Sequence, residues 1–375
     1  MRGNDPLIEV LERNHDLIVK QQVLVLGEIN SPQLMKLLVP TASATVVTDN
    51  YVTATNLAAV MGQRLGHSCF EVASYKHIKV IYAAASDPRL PEEIGPVERV
   101  LVFVAKTKTL NQHLLYTLQH KFHANNTPAK ITLIGANDAG GKSADGLVKG
   151  VASVYKHDSA RKCTVFEGSF DHYEANGVGL KDCKLPKDVT VDGLTLSQEP
   201  GLFSQGELDG GTALLLKAVK DDLTNPEGPI LDLGCGSGVI GLSLAKMGCD
   251  HVVCTDISAT ALYATQRNAK RNQLEVTTLA CDMLPSPELL TELHLPQSKF
   301  KYIVTNPPFH QGIARSLKET QAMIAAAPQS LCADGALYLV GNTCLNYGAN
   351  LQEAFAQVKE LIATPKFTVF KATLA

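Results

Sequence analysis

The sequence contains no Cys-x-x-Cys pair among its nine cysteines, and no apolar run near the roughly eighteen residues of a membrane span. Scattered cysteines of this kind argue against a zinc site and against a disulfide framework, and they fit a reducing cytoplasm. No metal and no membrane association are expected. The first stretch, MRGNDPLIEVLERNHD, has no continuous apolar core, so a secretory signal is not expected either. Charge is nearly balanced: 34 Lys and Arg face 37 Asp and Glu, a net of −3 that gives no sign of nucleic acid by itself. With 45% hydrophobic and 19% charged residues the composition is that of a soluble globular protein, and 375 residues are enough for two domains.

Charge is distributed less evenly than the total suggests. Between Val104 and Val165 stand nine Lys or Arg (Lys106, Lys108, Lys121, Lys130, Lys142, Lys149, Lys156, Arg161, Lys162) against three acids. Such a segment suits either phosphates or an ordinary solvated surface.

The C-terminal half alternates apolar runs with helical periods. Strands are expected at Pro229–Leu233, His251–Thr255, Val276–Ala280, Lys301–Thr305, Ala336–Gly341 and Phe367–Ala372, and a helix over Ser258–Asn272. That alternation predicts an α/β fold with a doubly wound, mostly parallel sheet. Just before it, Asp192-Gly193 between two alternating runs predicts a hairpin. The polar, glycine-broken stretch Glu167–Pro186 reads as a linker. The N-terminal half repeats the pattern weakly: Gly27 precedes Asp49 by 22 residues, and Gly234 precedes Asp256 by the same 22. The expectation is two tandem Rossmann-like sheets, the first having lost its glycine loop and its Asn-Pro-Pro turn.

Two stretches carry chemistry. ILDLGCGSGVIG, residues 230–241, is a strand entering a glycine loop and then a helix, which lets a ligand approach the backbone at a helix N-terminus. Gly236, Gly238 and Gly241 satisfy the dinucleotide fingerprint, with Asp256 where a ribose-binding acid belongs. The same loop reads D-x-G-x-G-x-G from Asp232 and resembles S-adenosyl-L-methionine methyltransferases, so the loop alone leaves NAD open. In the methyltransferase reading Asp256 accepts from both ribose hydroxyls and Asp282 sits by the adenine amino group. The second stretch is TNPPFHQG, residues 305–312. Two prolines after an apolar run cannot continue as strand or helix, so their turn leaves acceptors for another use. The side-chain oxygen of Asn306 and the carbonyl of Pro307 suit the two N–H bonds of a planar exocyclic amine, and Phe309 offers a stacking face for the base. GANDAGGKS, residues 135–143, imitates a phosphate loop, but Ala136 stands where glycine is required.

HDSARKC, VDGLTLSQEPGLFSQGELDGGTALLL, ILDLGCGSGVIGLSLA and IVTNPPFHQG together resemble the bacterial family of ribosomal RNA small-subunit methyltransferases that modify a guanosine of 16S rRNA on its exocyclic N2 amine. The resemblance implies two homologous domains: a degenerate copy over 1–168, a linker over 169–186 and a catalytic domain over 187–375. It implies S-adenosyl-L-methionine as cofactor and ribosomal RNA or the assembled small subunit as partner. Asp232, Gly234, Cys235, Gly236, Gly238, Asp256, Ile257, Asp282 and Asn306 are the cofactor-binding positions it implies. Asn306, Pro307 and Phe309 are the catalytic ones, and Phe203, Phe309 and His310 lie against the substrate. Other Asn-Pro-Pro turns serve large-subunit rRNA, adenine N6 or a protein glutamine amide, and a non-catalytic RNA chaperone that binds the cofactor is a further class.

Overall fold

Five of the six residues of Gln22–Gly27 and all four of Ile230–Leu233 are buried. Continuous apolar strands of this kind belong at the centre of a parallel sheet covered on both faces. The computed structural model describes residues 5–27, 29–105, 108–123, 128–171, 186–204, 206–223, 227–292, 299–307, 313–345 and 347–375. It divides into two compact units, Met1–Leu185 and Pro186–Ala375.

In the first unit the elements run α1 (Pro6–Arg13), β1 (Gln22–Gly27), α2 (Gln33–Leu37), β2 (Ser43–Thr48), α3 (Tyr51–Val60), β3 (Phe70–Tyr75), β4 (Ile78–Ala83), α4 (Arg89–Glu93), β5 (Arg99–Phe103), α5 (Lys108–Leu118), β6 (Lys130–Ala136), β7 (Ala152–Ala160) and β8 (Cys163–Phe170). The sheet order is β3-β4-β2-β1-β5-β6-β8-β7. Strands β4 through β6 are parallel, while β3, β8 and β7 pair antiparallel. Leu24, Val47, Val102 and Leu133 form its core with the helices that cover them.

The second unit opens with the expected hairpin, β9 (Lys187–Val191) and β10 (Leu194–Gln198). Asp192 and Gly193 both take positive φ, 53° and 73°, as a two-residue type I′ turn requires. There follow α6 (Gly210–Asp222), β11 (Ile230–Leu233), α7 (Val239–Lys246), β12 (Val252–Asp256), α8 (Ala259–Arg271), β13 (Thr277–Ala280), α9 (Pro287–Glu292), β14 (Phe300–Thr305), α10 (Ile313–Ser330), β15 (Leu331–Asn342), α11 (Tyr347–Ala354), β16 (Gln357–Ala363) and β17 (Phe367–Thr373). The sheet order is β13-β12-β11-β14-β15-β17-β16. Its first five strands are parallel and the last two antiparallel. Set beside β4-β2-β1-β5-β6-β8-β7 of the first unit, this is the same order with the same directions. Gly27 and Gly234 both fall where the central strand ends, and Asp49 and Asp256 where its neighbour ends.

Three departures from the sequence reading have physical causes. β3, β7 and β16 are mostly exposed strands at or beside sheet edges, so they lack the apolar alternation that marks a strand. Gly168 lies inside β8 rather than in a linker. A Cβ there would stand 1.9 Å from the carbonyl oxygen of Ser153, so glycine permits the close pairing with β7. The phosphate-loop imitation after β6 forms two 3-10 turns, Asn137–Ala139 and Gly141–Leu147, with no α-helix N-terminus to hold a phosphate. Three of the nine basic residues counted above are used by the unit itself. Lys108 reaches the Ser143 hydroxyl at 3.2 Å, Lys121 the Ile94 carbonyl at 3.0 Å, and Arg161 pairs with Glu9 at 2.6 Å.

Candidate active site

Both chemistry-bearing stretches leave the sheet from neighbouring strand ends. Leu233 of β11 lies in register with Thr305 of β14. The Thr305 hydroxyl, buried, donates to the Leu233 carbonyl at 2.9 Å, so the two departures are fastened to each other. From Leu233 the chain turns into the glycine loop. The amides of Gly234 and Cys235 both donate to the Thr255 carbonyl, at 2.9 and 3.0 Å, which draws the loop over the end of β12.

Asp232 sits beneath this loop with no exposed surface. Its Oδ2 accepts from the Gly241 amide at 2.7 Å, tying the end of β11 to the first turn of α7, and its Oδ1 is buried without a partner. Burial pushes its carboxyl up to about 7; the Gly241 amide opposes that and the Asp256 charge adds to it. Asp256 occupies the end of β12, where its two oxygens divide their work. Oδ2 accepts from the Gly236 amide at 3.0 Å and Oδ1 from the Ser258 amide at 2.9 Å. The carboxylate is thereby fixed between the loop and the N-terminus of α8, and desolvation raises its pKa. Ile257 follows, partly buried, and Asp282 stands exposed just beyond β13. Cys235 turns its thiol inward, 3.5 Å from the Thr265 hydroxyl, and a hydrogen bond with Cys254 followed by burial pushes that thiol well up.

Asn306, the residue after β14, is gripped from α6. Its Nδ2 donates to Asp209 Oδ2 at 3.0 Å and to the Thr212 hydroxyl oxygen at 2.8 Å. Its Oδ1 is buried and has no hydrogen-bond partner. Pro307 beside it is buried. Phe203 is exposed on the segment between β10 and α6. That segment is anchored by buried Glu199, which pairs with Arg267 of α8 at 2.7 Å. Phe309 and His310 lie outside the described residues. Asp209 and Thr212 were missed in the sequence reading, although an aspartate just ahead of a helical run is an N-cap signal, and Asp209 does cap α6. Asn268 was missed as well. Its side chain clasps the Ser197 amide and carbonyl, at 2.8 and 2.9 Å, and donates to the Ser237 carbonyl of the glycine loop at 2.9 Å.

Two family models match the chain: the methyltransferase small domain over residues 193–371, and the methyltransferase small domain N-terminal over 9–178. Ribosomal RNA small subunit methyltransferase C of Vibrio cholerae is 30% identical over 368 residues, 97% of each chain. The protein of that name from Photobacterium profundum is 32% identical over 279 residues, 74% of this chain and 77% of that one. The chain belongs to the ribosomal RNA small subunit methyltransferase C family. Membership sets aside the dehydrogenase reading that the glycine loop alone had left open. A solved structure from T. thermophilus, described as a 16S rRNA N2-guanosine methyltransferase in complex with AdoMet and guanosine, covers 99% of this chain and 93% of its own. Its TM-score is 0.74 at 22% identity, a likeness of fold over both units.

The cofactor of such enzymes, S-adenosyl-L-methionine, fits the residues present. A Cβ added at Gly234 or at Gly236 would meet no atom within 4 Å, so the loop leaves open space along its backbone. Asp256 faces that loop with a carboxylate already held by two amides. At Gly27, by contrast, a Cβ would stand 2.0 Å from the Phe103 carbonyl oxygen, so the corresponding strand end of the first unit is closed by its own backbone. Among the described residues no group of three or more His, Cys, Asp or Glu is placed to hold a metal ion, and no helix is long and apolar enough to cross a membrane.

Proposed function

We propose that this chain methylates the exocyclic N2 amine of a guanosine in 16S rRNA, using S-adenosyl-L-methionine, with all of the chemistry in the second unit. The observation that carries the reading is the buried, unpartnered Oδ1 of Asn306 beside an amide whose nitrogen is fully engaged. A guanine amine is a poor nucleophile because its lone pair is delocalised into the ring, and it presents two N–H donors. An acceptor fixed in place orients that nitrogen and stabilises the positive charge that develops on it. S-adenosyl-L-methionine supplies the electrophilic methyl group when bound. The residues assigned to holding it are Gly234, Gly236, Gly238 and the backbone of Cys235, with Asp256 for hydroxyl groups and Ile257 and Asp282 at the rim. Asp232 acts from below, by tying β11 to α7, rather than by contact. The amine's surplus proton leaves to solvent after methylation, and no side chain is needed to remove it beforehand.

The guanosine and the small subunit are supported by what the relatives are named for; a naked transcript and an assembled subunit are to be compared as substrates. The first unit, with the same strand order but a closed loop position, is proposed as a degenerate copy that holds RNA. The working compartment is the cytoplasm. The test is single-turnover methyl transfer at saturating cofactor. Asn306→Ala should lower the rate about a hundredfold, by analogy with loss of one well-placed oxyanion donor, while cofactor affinity measured by calorimetry stays within twofold. Transfer at the parent rate would place the chemistry elsewhere.

A further inference from the structure

We infer that Asp209 and Thr212 are positioning residues that decide which end of the Asn306 carboxamide meets the target amine. The inference rests on the reading of Asn306 as the amine's acceptor. The oxygen and nitrogen ends of a carboxamide are nearly equal in size and exchange by rotation about one bond, so only neighbours set the orientation. Here the neighbours are 97 and 94 residues away in sequence, at the start of α6.

An ionised carboxylate is acceptor-only, so Asp209 receives the nitrogen end and repels the oxygen end. The Asp209 Oδ2 atom also accepts from the Thr212 amide at 2.8 Å and, at 3.3 Å, from the Thr212 hydroxyl. With its proton committed to Asp209, the Thr212 hydroxyl has only lone pairs to offer Nδ2. Both N–H bonds of Asn306 are therefore used, and Oδ1 is left over. The flipped amide would put oxygen against oxygen at Asp209 and leave a donor facing an amine that brings donors of its own. Asp209 is also the N-cap of α6, so the pair stands on the first turn of a helix rather than on a mobile loop.

The experiment separates this role from helix capping and from the reading it rests on. Single-turnover transfer is measured for Thr212→Val, which keeps shape but loses the acceptor, and for Asp209→Ser, which keeps a capping oxygen but is too short to reach Asn306. Thr212→Ser serves as the conservative restoration. Each is made in the parent and in the Asn306→Ala background, with cofactor affinity followed by calorimetry. In the parent, Thr212→Val should slow transfer about tenfold, the rate equivalent of one lost hydrogen bond, and Asp209→Ser by tenfold to about a hundredfold. Thr212→Ser should recover most of the rate, and affinity should hold. In the Asn306→Ala background neither substitution should cost more, because the group they orient is gone. Parent-like rates for both variants beside a slow Asn306→Ala enzyme would overturn the inference. So would equal losses in both backgrounds, which would mark a structural role of α6. A parent-like Asn306→Ala enzyme would instead sink the underlying reading.

Discussion

Replacing Gly241 by alanine sets two effects of opposite sign against each other. Gly241 lies inside α7, where alanine is the better helix former by about 1 kcal/mol. Yet the new Cβ would stand 2.4 Å from the Cys254 sulfur and 3.1 Å from Asp232 Oδ2. Neither neighbour can retreat easily. Cys254 is fully buried in β12, and Asp232 is held by the amide of Gly241 itself. Forcing extra volume into a packed core costs about 1–3 kcal/mol, and a carbon so close to a sulfur belongs at the upper end of that range. The net expectation is a destabilisation of about 2 kcal/mol, with weaker cofactor binding because α7 must lift from the end of β11. The assay is urea unfolding, read at the transition that added S-adenosyl-L-methionine moves to higher denaturant. The same substitution in a Cys254→Ala background, which removes the sulfur and leaves only the contact with Asp232, should then cost clearly less. Gly241→Ala that stabilises the otherwise unaltered chain, or that costs the same in both backgrounds, would refute the close-packing argument.

Two further predictions concern the carboxylates. Asp232, raised from 3.8 to about 7 by burial, keeps its proton in the folded chain between those values while the unfolded chain releases it. Its contribution therefore makes the cofactor-free protein less stable as pH rises from about 4 to about 7 and level above, by at most about 4 kcal/mol. Asp232→Asn should flatten that slope, and identical urea midpoints for parent and variant from pH 5 to 8 would contradict the assignment. Asp256→Ala should weaken S-adenosyl-L-methionine binding about a hundredfold, as expected for charge-assisted hydrogen bonds to hydroxyls, and calorimetry showing unchanged affinity would remove Asp256 from the site.

The central strands of both units were legible because burial on two faces writes a continuous apolar run, as in QVLVLG and ILDL. The turn at Asp192-Gly193 was legible for another local reason, since an Asp-Gly pair takes two positive φ values in succession at little cost, whereas Arg161 and Lys162 do the same between β7 and β8 with no such signature. The repeat was legible too, because equal spacing from Gly27 to Asp49 and from Gly234 to Asp256 survives the loss of the site residues. Edge strands β3, β7 and β16 were not, since a strand largely in water on both faces has no buried side to impose apolar alternation. Gly168 misled for a similar reason: glycine that permits a close approach looks the same in sequence as glycine that breaks a strand. Within the candidate site, Asp232, Asp256 and Asn306 were picked out by their places at or just past the ends of strands. Asp209, Thr212 and Asn268 did not, because their importance lies in what they grip across the fold, and a sequence shows only neighbours along the chain.

The identity of the methylated atom decides between the proposed reaction and its alternatives. The full chain, S-adenosyl-L-methionine carrying a labelled methyl group, and rRNA from both ribosomal subunits should be incubated together, digested, and the modified nucleosides mapped by mass spectrometry. The prediction is N2-methylguanosine at one position of the small-subunit rRNA and no label in the large-subunit rRNA. Label on adenine N6, on large-subunit rRNA or on protein alone would contradict the assignment.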